Sequence, residues 1–338
     1  MKKSVLLGTL AAVGVMAGAA SAGTLDDVKA NGVLKCGVST GQVGFAAPDE
    51  NGRWEGFDVA VCRAVAAAVL GDQDAVQYVP LSSKVRFTAL ASGEIDMLSR
   101  ATTWTLSRDA DLGFTFLGVN YYDGQGFMVR KDLGVTSATE LDGATICITT
   151  GTTTELNLAD YFRSNGMSYE PVPIETSAEA RGQYLSGACD VYTTDSSALA
   201  AQRATFENAD EHMVLPEIIS KEPLGPLVRE GDEPWGDVVR WSLNAMIAAE
   251  ELGINRGNLE ELAKGTNNPE INRFMGTEGN IGEMLGLEAN WAVNIIAAVG
   301  NYGEAFEEHI GENTNIGLSR GLNAQWKQGG LMYSPPFR

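Results

Sequence analysis

Basic residues are scarce in this chain of 338 residues. It has 24 Lys and Arg against 44 Asp and Glu, which gives a formal net charge of −20. Nucleic-acid binding depends on a basic surface that neutralises phosphates, so this balance argues against DNA or RNA as a partner. An anionic ligand would need a local basic pocket instead of long-range attraction. Three arginines close together in the sequence could form one: Arg86, Arg100 and Arg108.

Residues and motifs typical of metal and cofactor chemistry are also rare. The only histidines are His212 and His309, and the four cysteines show no CxxC spacing, so we expect no metal site. The sequence has neither an HExxH motif nor a phosphate loop. We therefore expect no cofactor and no enzymatic activity.

Long apolar runs are absent after the first residues of the chain. Lys2 and Lys3 precede an apolar run from Val5 to Ala20, and Ala20-Ser21-Ala22 matches a small-residue cleavage site. This pattern predicts a secretory signal peptide over residues 1–22 and export to the periplasm. The later apolar run, Trp291–Gly300, is too short to span a membrane.

The remainder of the chain alternates between strand and helix patterns in two similar units. The first unit has predicted strands at Val33–Ser39, Val76–Pro80 and Asp96–Ser99, with helices at Asp58–Leu70 and Lys84–Ala91. The second has strands at Ala144–Thr149, Tyr169–Pro173 and Cys189–Thr194, with intervening helices. This alternation predicts an α/β protein with two lobes of related architecture.

Two extended segments bracket the second unit: Gly124–Val129 and Leu215–Val228. We interpret them as a two-strand hinge, with the second lobe inserted into the first; plain surface hairpins are the alternative. Lobe 1 would then comprise residues 23–124 and 222–338, including a C-terminal extension. Lobe 2 would comprise residues 125–221.

Four cysteines in an exported chain allow three pairings. Cys36 and Cys62 both lie in the first unit, whereas Cys147 and Cys189 lie at the starts of two strands in the second. We expect the bridges Cys36–Cys62 and Cys147–Cys189, one in each lobe. Free buried thiols are the alternative.

Candidate ligand-binding residues follow the predicted strands of both lobes, where open α/β sheets bind their ligands. In lobe 1 these are Thr103 and Arg108, within the stretch Ile95–Arg108. In lobe 2 they are the helix start Gly151–Thr154 and the carboxylate of Asp195. An arginine fork with neutral hydroxyls suits a carboxylate, and an aspartate suits an ammonium. An α-amino acid is the smallest molecule that carries both groups.

Several long segments form recognisable motifs: Gly56-Phe57-Asp58-Val59, Tyr121–Val129, Thr150–Phe162, Cys189–Asp195, Leu215–Pro226, Val299–Glu307 and Arg320–Trp326. These motifs resemble those of bacterial solute-binding proteins for polar amino acids, and more narrowly the general L-amino-acid-binding proteins of proteobacterial ABC transporters. The resemblance implies the two-lobed type II periplasmic-binding-protein (Venus-flytrap) fold.

The resemblance also implies how the ends of an amino acid are held. Arg108 would bind the α-carboxylate, with help from Thr103 and from backbone N–H groups near Ala101 and Thr103. Thr153 would add hydroxyl and amide donors at a helix start that also includes Gly151. For Arg108 the alternative is a solvated arginine on a helix capped by Thr105.

The same resemblance implies three further contacts. Asp195 would pair with the α-ammonium, Phe45 would cover the ligand stem, and Arg86 would read a distal carboxylate or amide. The alternatives are a simple helix cap for Asp195, a core position for Phe45 and a surface position for Arg86.

The resulting hypothesis is a monomeric periplasmic protein that captures L-amino acids and delivers them to the membrane permease of an ABC importer. We expect a broad ligand range that favours Glu, Gln, Asp and Asn. One alternative is a periplasmic enzyme on the same fold, similar to cyclohexadienyl dehydratase. Another is a ligand sensor for a receptor.

Overall fold

Residues 23–338 are described by the structure, a computed structural model. The predicted signal peptide at residues 1–22 lies outside the described residues. The first part of the chain contributes the elements α1 (Thr24–Asn31), β1 (Leu34–Val38), β2 (Ala47–Pro48), β3 (Trp54–Glu55), α2 (Phe57–Leu70), β4 (Val76–Pro80), α3 (Arg86–Ala91), β5 (Met97–Leu98), α4 (Leu106–Ala110), β6 (Phe114–Phe116) and β7 (Tyr121–Asp123).

The middle of the chain forms a second group of elements: β8 (Gln125–Arg130), β9 (Thr145–Thr149), α5 (Thr153–Ser164), β10 (Glu170–Ile174), α6 (Ser177–Leu185), β11 (Val191–Asp195), α7 (Ser196–Arg203) and β12 (His212–Val214). The last part contributes β13 (Glu222–Leu224), β14 (Leu227–Arg229), α8 (Glu233–Leu252), α9 (Leu259–Leu262), α10 (Pro269–Phe274), α11 (Ile281–Met284), α12 (Trp291–Val299) and α13 (Tyr302–His309).

Two five-stranded sheets, one in each lobe, organise these elements. The lobe 1 sheet has the order β4-β1-β5-β14-β6, and the lobe 2 sheet has the order β10-β9-β11-β8-β12. In each sheet four strands run in one direction, three of them from βα units, and one strand, β14 in lobe 1 or β8 in lobe 2, runs antiparallel to both of its neighbours. Strand β10 carries Pro171 and Pro173, and its place at the sheet edge explains how the missing N–H donors are tolerated.

The core of lobe 1 is built around α2, whose Ala- and Val-rich sequence is almost entirely buried. Small side chains let α8 and the distant α12 pack closely against it. The C-terminal extension therefore returns to lobe 1 and completes its core. Within residues 23–338, no helix is long and apolar enough to cross a membrane.

Two antiparallel strands, β7 and β13, connect the lobes, with Asp123 directly opposite Glu222. The sequence placed one hinge strand at Gly124–Val129, and this position was wrong, since the connecting strand is β7 at Tyr121–Asp123. Gln125–Arg130 form β8, a buried strand inside the lobe 2 sheet, because the chain continues in an extended conformation from the hinge straight into that sheet. The lobe borders at residues 124/125 and 221/222 stay a prediction.

Both disulfides lie within single lobes. Cys36 on β1 is bonded to Cys62 on α2, and Cys147 on β9 is bonded to Cys189 just before β11. All four side chains are buried. These are the two pairs that the sequence predicts, and each ties a strand of the sheet to a neighbouring part of the same lobe.

Candidate functional site

A cleft between the lobes collects most of the candidate residues. Its lobe 1 wall consists of Gln42, Ser83, Arg86, Arg100, Ala101, Thr103 and Arg108. Its lobe 2 wall consists of Thr149, Thr152, Thr153, Thr154, Ser177, Tyr192, Thr194, Asp195, Ala198 and Gln202. Almost every lining side chain is polar, so the cleft suits a small, highly polar ligand. Two of the predicted site residues, Phe45 and Gly151, do not line it.

Arg108 is held in the cleft by the start of α4. The Thr105 hydroxyl accepts a hydrogen bond from the Arg108 N–H at 3.3 Å and so caps the helix, while the guanidinium is buried and 8% exposed. Its Nη1 donates to the Thr103 carbonyl at 2.9 Å, and the group lies over the Phe87 ring at 5.3 Å. The helix cap and the buried arginine therefore coexist, and a solvated Arg108 is excluded.

Arg86 and Arg100 are equally buried, at 3% and 8% exposed. Their Nη1 atoms make long hydrogen bonds, to the Thr102 hydroxyl at 3.4 Å and the Ser83 hydroxyl at 3.3 Å respectively. Their Nε atoms have no partner. Burial lowers the pKa of Arg100 to about 10 and that of Arg86 well below its usual value.

No carboxylate oxygen lies within 4 Å of any of these three guanidinium groups in the part of the chain that the structure describes. Buried charges are normally paired, because desolvation of an isolated charge costs several kcal/mol. Three unpaired arginines on one wall are therefore a strong indication that the ligand is anionic at this end.

Ala101 is positioned by the buried carboxylate of Asp58. The Ala101 N–H donates to Asp58 Oδ2 at 2.9 Å, and Asn120 Nδ2 donates to Oδ1 at 3.1 Å. Ala101 has a φ of 41°, the sole positive value of a non-glycine residue within residues 23–338. Burial raises the pKa of Asp58 to about 6, although the hydrogen bonds from Asn120 and Ala101 by themselves lower it.

This bond corrects one expectation. The Ala101 N–H was predicted to help hold a ligand carboxylate, but Asp58 already uses it. The Ala101 carbonyl accepts no hydrogen bond from the described residues, so Ala101 can offer an acceptor to the ligand and not a donor. The strained backbone is the kind of feature that accumulates at binding sites.

The start of α5 forms the opposite wall. Thr152 is the N-cap residue, but its side chain does not cap the helix; the hydroxyl instead donates to the Thr149 carbonyl at 2.7 Å. The first backbone N–H groups of a helix have no intrahelical partner, and the helix dipole favours an anion there. Thr153 lines the cleft at this point. Its backbone N–H is therefore available to a ligand carboxylate.

Gly151 has a different environment from the one predicted. Its N–H donates to Glu155 Oε2 at 2.8 Å, so it is not free for a ligand. A Cβ added to Gly151 would lie 3.3 Å from Lys84 Cα of lobe 1, and its φ of +76° favours glycine. Gly151 therefore allows the two lobes to approach each other closely.

Asp195 ends β11 on the lobe 2 wall, and its carboxylate makes no hydrogen bond or ion pair with residues 23–338. Burial raises the pKa of Asp195 well above its usual value, and the neighbouring carboxylates of Asp123 and Glu222 raise it further. Burial likewise raises the pKa of Asp123 to about 6. An unpaired carboxylate in such a place suits a cation. The simple helix-cap alternative is excluded, since its side chain caps nothing.

Phe45 belongs to the lobe 1 core and is 1% exposed, packed edge-on against Tyr121 with ring centroids 5.7 Å apart. The loop around Phe45 instead presents Gln42 to the cleft. Sequence reasoning missed Gln42, and it also missed Glu222, which is 2% exposed on hinge strand β13. A glutamate between a lysine and a proline looks like a solvated loop residue, so no local signal could have identified it.

Groups typical of catalysis are not assembled in the cleft. His212 lies in lobe 2, with Nδ1 2.8 Å from the Tyr184 hydroxyl, and neither His212 nor His309 lines the cleft. Residues 37–41 have a GxSxG spacing, but the Ser39 hydroxyl donates to the Ala46 carbonyl at 3.0 Å. Among the described residues, no cluster of His, Cys, Asp and Glu is arranged to hold a metal ion.

Comparison with known proteins identifies the family. Residues 34–255 match the model for bacterial extracellular solute-binding proteins, family 3, and the chain belongs to this family. Its fold is therefore the predicted two-lobed type II periplasmic-binding-protein fold.

Two curated relatives match the whole chain. The chain is 63% identical over 338 residues to the glutamate/glutamine/aspartate/asparagine-binding protein BztA of Rhodobacter capsulatus, with all of both chains covered. It is 57% identical over 342 residues to the general L-amino acid-binding periplasmic protein AapJ of Rhizobium johnstonii, again with all of both chains covered. Both relatives are binding proteins and not enzymes.

A solved structure supports the same architecture. The ABC transporter periplasmic binding protein from Brucella ovis, with glutathione bound, superposes with a TM-score of 0.92 at 56% sequence identity. The match covers 94% of this chain and 100% of that chain, so the C-terminal extension is part of the shared fold.

The raised pKa of Asp195 predicts pH-dependent binding. A ligand ammonium favours the ionised carboxylate, so below the raised pKa a proton must leave before the ligand binds. Affinity for glutamine, whose side chain does not titrate, should fall as the pH is lowered through the raised pKa of Asp195, by up to about tenfold per pH unit. Calorimetry at several pH values measures this, with Asp195→Asn as the comparison. Equal pH slopes in the two proteins would contradict the assignment.

The contact between Gly151 and Lys84 predicts an effect on closure. Gly151→Ala should weaken ligand binding several-fold, because the new methyl group must displace Lys84 before the lobes can meet. Gly187→Ala is a matched control: Gly187 is also in lobe 2 with a φ of +79°, but an added Cβ there has nothing within 4 Å. The two variants should lose similar stability in urea unfolding, about 1 kcal/mol. Similar ligand affinities would show that the contact does not limit closure.

Proposed function

We propose that this protein is a periplasmic receptor for L-amino acids that favours glutamate, glutamine, aspartate and asparagine. It captures the ligand in the cleft as a monomer and delivers it to the membrane permease of an ABC importer. The ligands for which the two relatives from Rhodobacter capsulatus and Rhizobium johnstonii are named support this proposal. The observation that carries it is the opposition of unpaired arginines on one wall to an unpaired aspartate on the other.

The α-carboxylate would lie between the walls, held by the Arg108 guanidinium and by the backbone N–H groups of Thr103 and Thr153. A charge-assisted fork and a helix N-terminus both favour a carboxylate. The α-ammonium would lie against the Asp195 carboxylate and the Ala101 carbonyl. Since each ligand charge meets an opposite unpaired charge, closure strengthens both attractions instead of leaving a charge desolvated.

The ligand side chain would extend toward Arg86 and Arg100. Guanidinium groups can donate to a carboxylate and also to an amide oxygen, which would allow a range that includes both acidic and amide side chains. Gln42 and Ser83 add polar groups to the same part of the cleft. Phe45 has no part in this arrangement, since its ring is in the lobe 1 core.

Glutathione is a second candidate ligand, because the related protein from Brucella ovis was solved with it bound. Its γ-glutamyl end carries the same α-carboxylate and α-ammonium as glutamate, so Arg108 and Asp195 could hold it in the same way. Its terminal carboxylate would then need an arginine farther along the cleft. Titration of one protein sample with both glutamate and glutathione distinguishes the two candidates.

The test of the proposed function is a calorimetric titration of the purified mature protein with glutamate, glutamine, aspartate, asparagine and glutathione, with leucine and arginine for comparison. Mass spectrometry of the recovered ligand checks that it is unchanged, which separates binding from turnover. Failure of all four amino acids to bind would overturn the proposal, and binding of glutathione alone would favour the second candidate. Light scattering of the same sample tests the monomeric state.

Arg108→Ala should abolish tight binding. Truncating one partner of a buried charge pair costs roughly 2–5 kcal/mol of binding free energy. The lower figure corresponds to an increase of about thirtyfold in the dissociation constant for glutamate, so we expect at least that increase. Arg163→Ala serves as the control, because Arg163 is 81% exposed on the far end of α5. An Arg108→Ala protein that bound glutamate within about tenfold of the wild type would refute the assigned role.

Arg86→Met should change stability and binding in opposite directions. Removing a buried, unpaired charge beside Arg100 and Arg108 relieves repulsion, so the melting temperature of the ligand-free protein should rise by about 2–4 °C. The same change should weaken glutamate binding more than leucine or glycine binding. Differential scanning calorimetry and titration measure the two effects. A melting temperature that fell together with affinity would indicate a structural role for Arg86.

A further inference from the structure

Glu222 is a buried carboxylate that the contacts proposed above do not use. It lies on hinge strand β13, 2% exposed, directly opposite Asp123 on β7. A buried carboxylate in a strand that connects two lobes is costly unless donors surround it. Its partners therefore indicate why it is there.

Four hydrogen-bond donors from three parts of the molecule converge on this carboxylate. From lobe 1, the Thr103 hydroxyl donates to Oε2. From lobe 2, the Thr153 hydroxyl donates to the same oxygen at 2.9 Å, and Asn157 Nδ2 donates to Oε1 at 2.6 Å. The Ser220 hydroxyl, next to the hinge, donates to Oε1 at 2.7 Å. These donors fill the acceptor sites of the carboxylate.

The bonds determine what the two threonines can offer to a ligand. A hydroxyl has one hydrogen, and in Thr103 and Thr153 that hydrogen points to Glu222. Each hydroxyl oxygen can then only accept a hydrogen bond from a molecule in the cleft. Lone pairs attract an ammonium and repel a carboxylate, so these hydroxyls cannot act as the carboxylate donors expected from the sequence.

The same bonds depend on how close the lobes are. Thr103 belongs to the lobe 1 wall, whereas Thr153 and Asn157 are on α5 of lobe 2. One carboxylate can reach both sets only when the walls meet. Glu222 therefore links the lobes in the closed form and loses its lobe 2 partners on opening.

We propose that Glu222 is a positioning residue of the cleft: by taking the hydroxyl hydrogens of Thr103 and Thr153 it turns their oxygens toward the ligand ammonium, and by bonding both walls it stabilises the closed form. This inference rests on the proposed amino-acid binding.

The variant Glu222→Gln tests both parts, since the amide keeps the size of the side chain but replaces one acceptor by a donor. The matched control is Glu217→Gln: Glu217 lies in the same segment and accepts hydrogen bonds from the Ser137 hydroxyl and the Ala138 N–H, but does not line the cleft. Both variants should give the circular dichroism spectrum of the wild type.

Calorimetry compares glutamine with glutaramic acid, which is glutamine without its α-ammonium. Glu222→Gln should weaken glutamine binding about ten- to hundredfold and glutaramic acid binding clearly less, because loss of the closing link affects both ligands whereas only the ammonium uses the reoriented hydroxyls. Equal losses for both ligands would overturn the polarity argument. Thr153→Val should remove much of the effect of Glu222→Gln, since a shared hydroxyl makes the two changes non-additive.

Small-angle X-ray scattering of the ligand-free proteins gives a readout that needs no ligand. Glu222→Gln should increase the radius of gyration relative to the wild type and to Glu217→Gln, because the closed form loses its link. Identical radii would overturn the closing role. If the wild type bound none of the amino acids, the proposed function would fail, and the scattering comparison would still decide whether Glu222 joins the lobes.

Discussion

Unpaired buried charge is the constraint on which the rest of this structure depends. Arg86, Arg100 and Arg108 are withdrawn from water without a carboxylate within 4 Å among the described residues, and Asp195 is equally without a partner. Such an arrangement lowers the stability of the ligand-free protein, because each group has lost hydration without gaining a counter-charge. A zwitterion whose ends are spaced like those of an amino acid supplies the missing partners of both walls together. The ligand-free protein is therefore less stable, and the cleft selects ligands that carry both a negative and a positive charge.

The hinge explains why the unpaired charges of both walls can contact one ligand only when the lobes are closed. Each lobe has its own disulfide and its own sheet, so the lobes can move as bodies while β7 and β13 bend. The carboxylates of Asp123 and Glu222 face each other across these strands, and like charges placed opposite each other destabilise a strand pair. Donors from both walls offset that repulsion for Glu222, and Ser197 and Gly124 do so for Asp123. Closure of the lobes therefore brings hydrogen-bond donors to the hinge carboxylate of Glu222 and, at the same time, brings the charged groups of both walls to the ligand.

The sequence predicts the fold better than the details of the site, for a physical reason. Strands such as Val76–Pro80 and helices such as α2 are set by local patterns of apolar residues, and those segments were located to within a residue or two. Arg108 and Asp195 were found because they follow predicted strands. The opposite orientation of the Thr103 hydroxyl, the use of the Ala101 N–H by Asp58, and the burial of Glu222 all depend on pairs separated by 43 to 119 positions along the chain. No local pattern records such pairs, so only the folded structure reveals them.

The chemistry of the walls also bears on how broad the ligand range can be. In the proposed arrangement the groups that would hold the α-carboxylate and the α-ammonium are rigid: one is backbone at a helix start, one is on a helix capped by Thr105, and one ends a strand. The ligand side chain would instead meet the long polar side chains of Arg86 and Arg100, and the cleft is also lined by Gln42 and Gln202. Such groups accept a carboxylate or an amide with small adjustments, and a site without a tightly shaped apolar pocket cannot sharply reject a ligand that differs by one methylene. Strict recognition of the shared end and loose recognition of the side chain would therefore follow from the different rigidity of the groups that the proposal assigns to each end of the ligand.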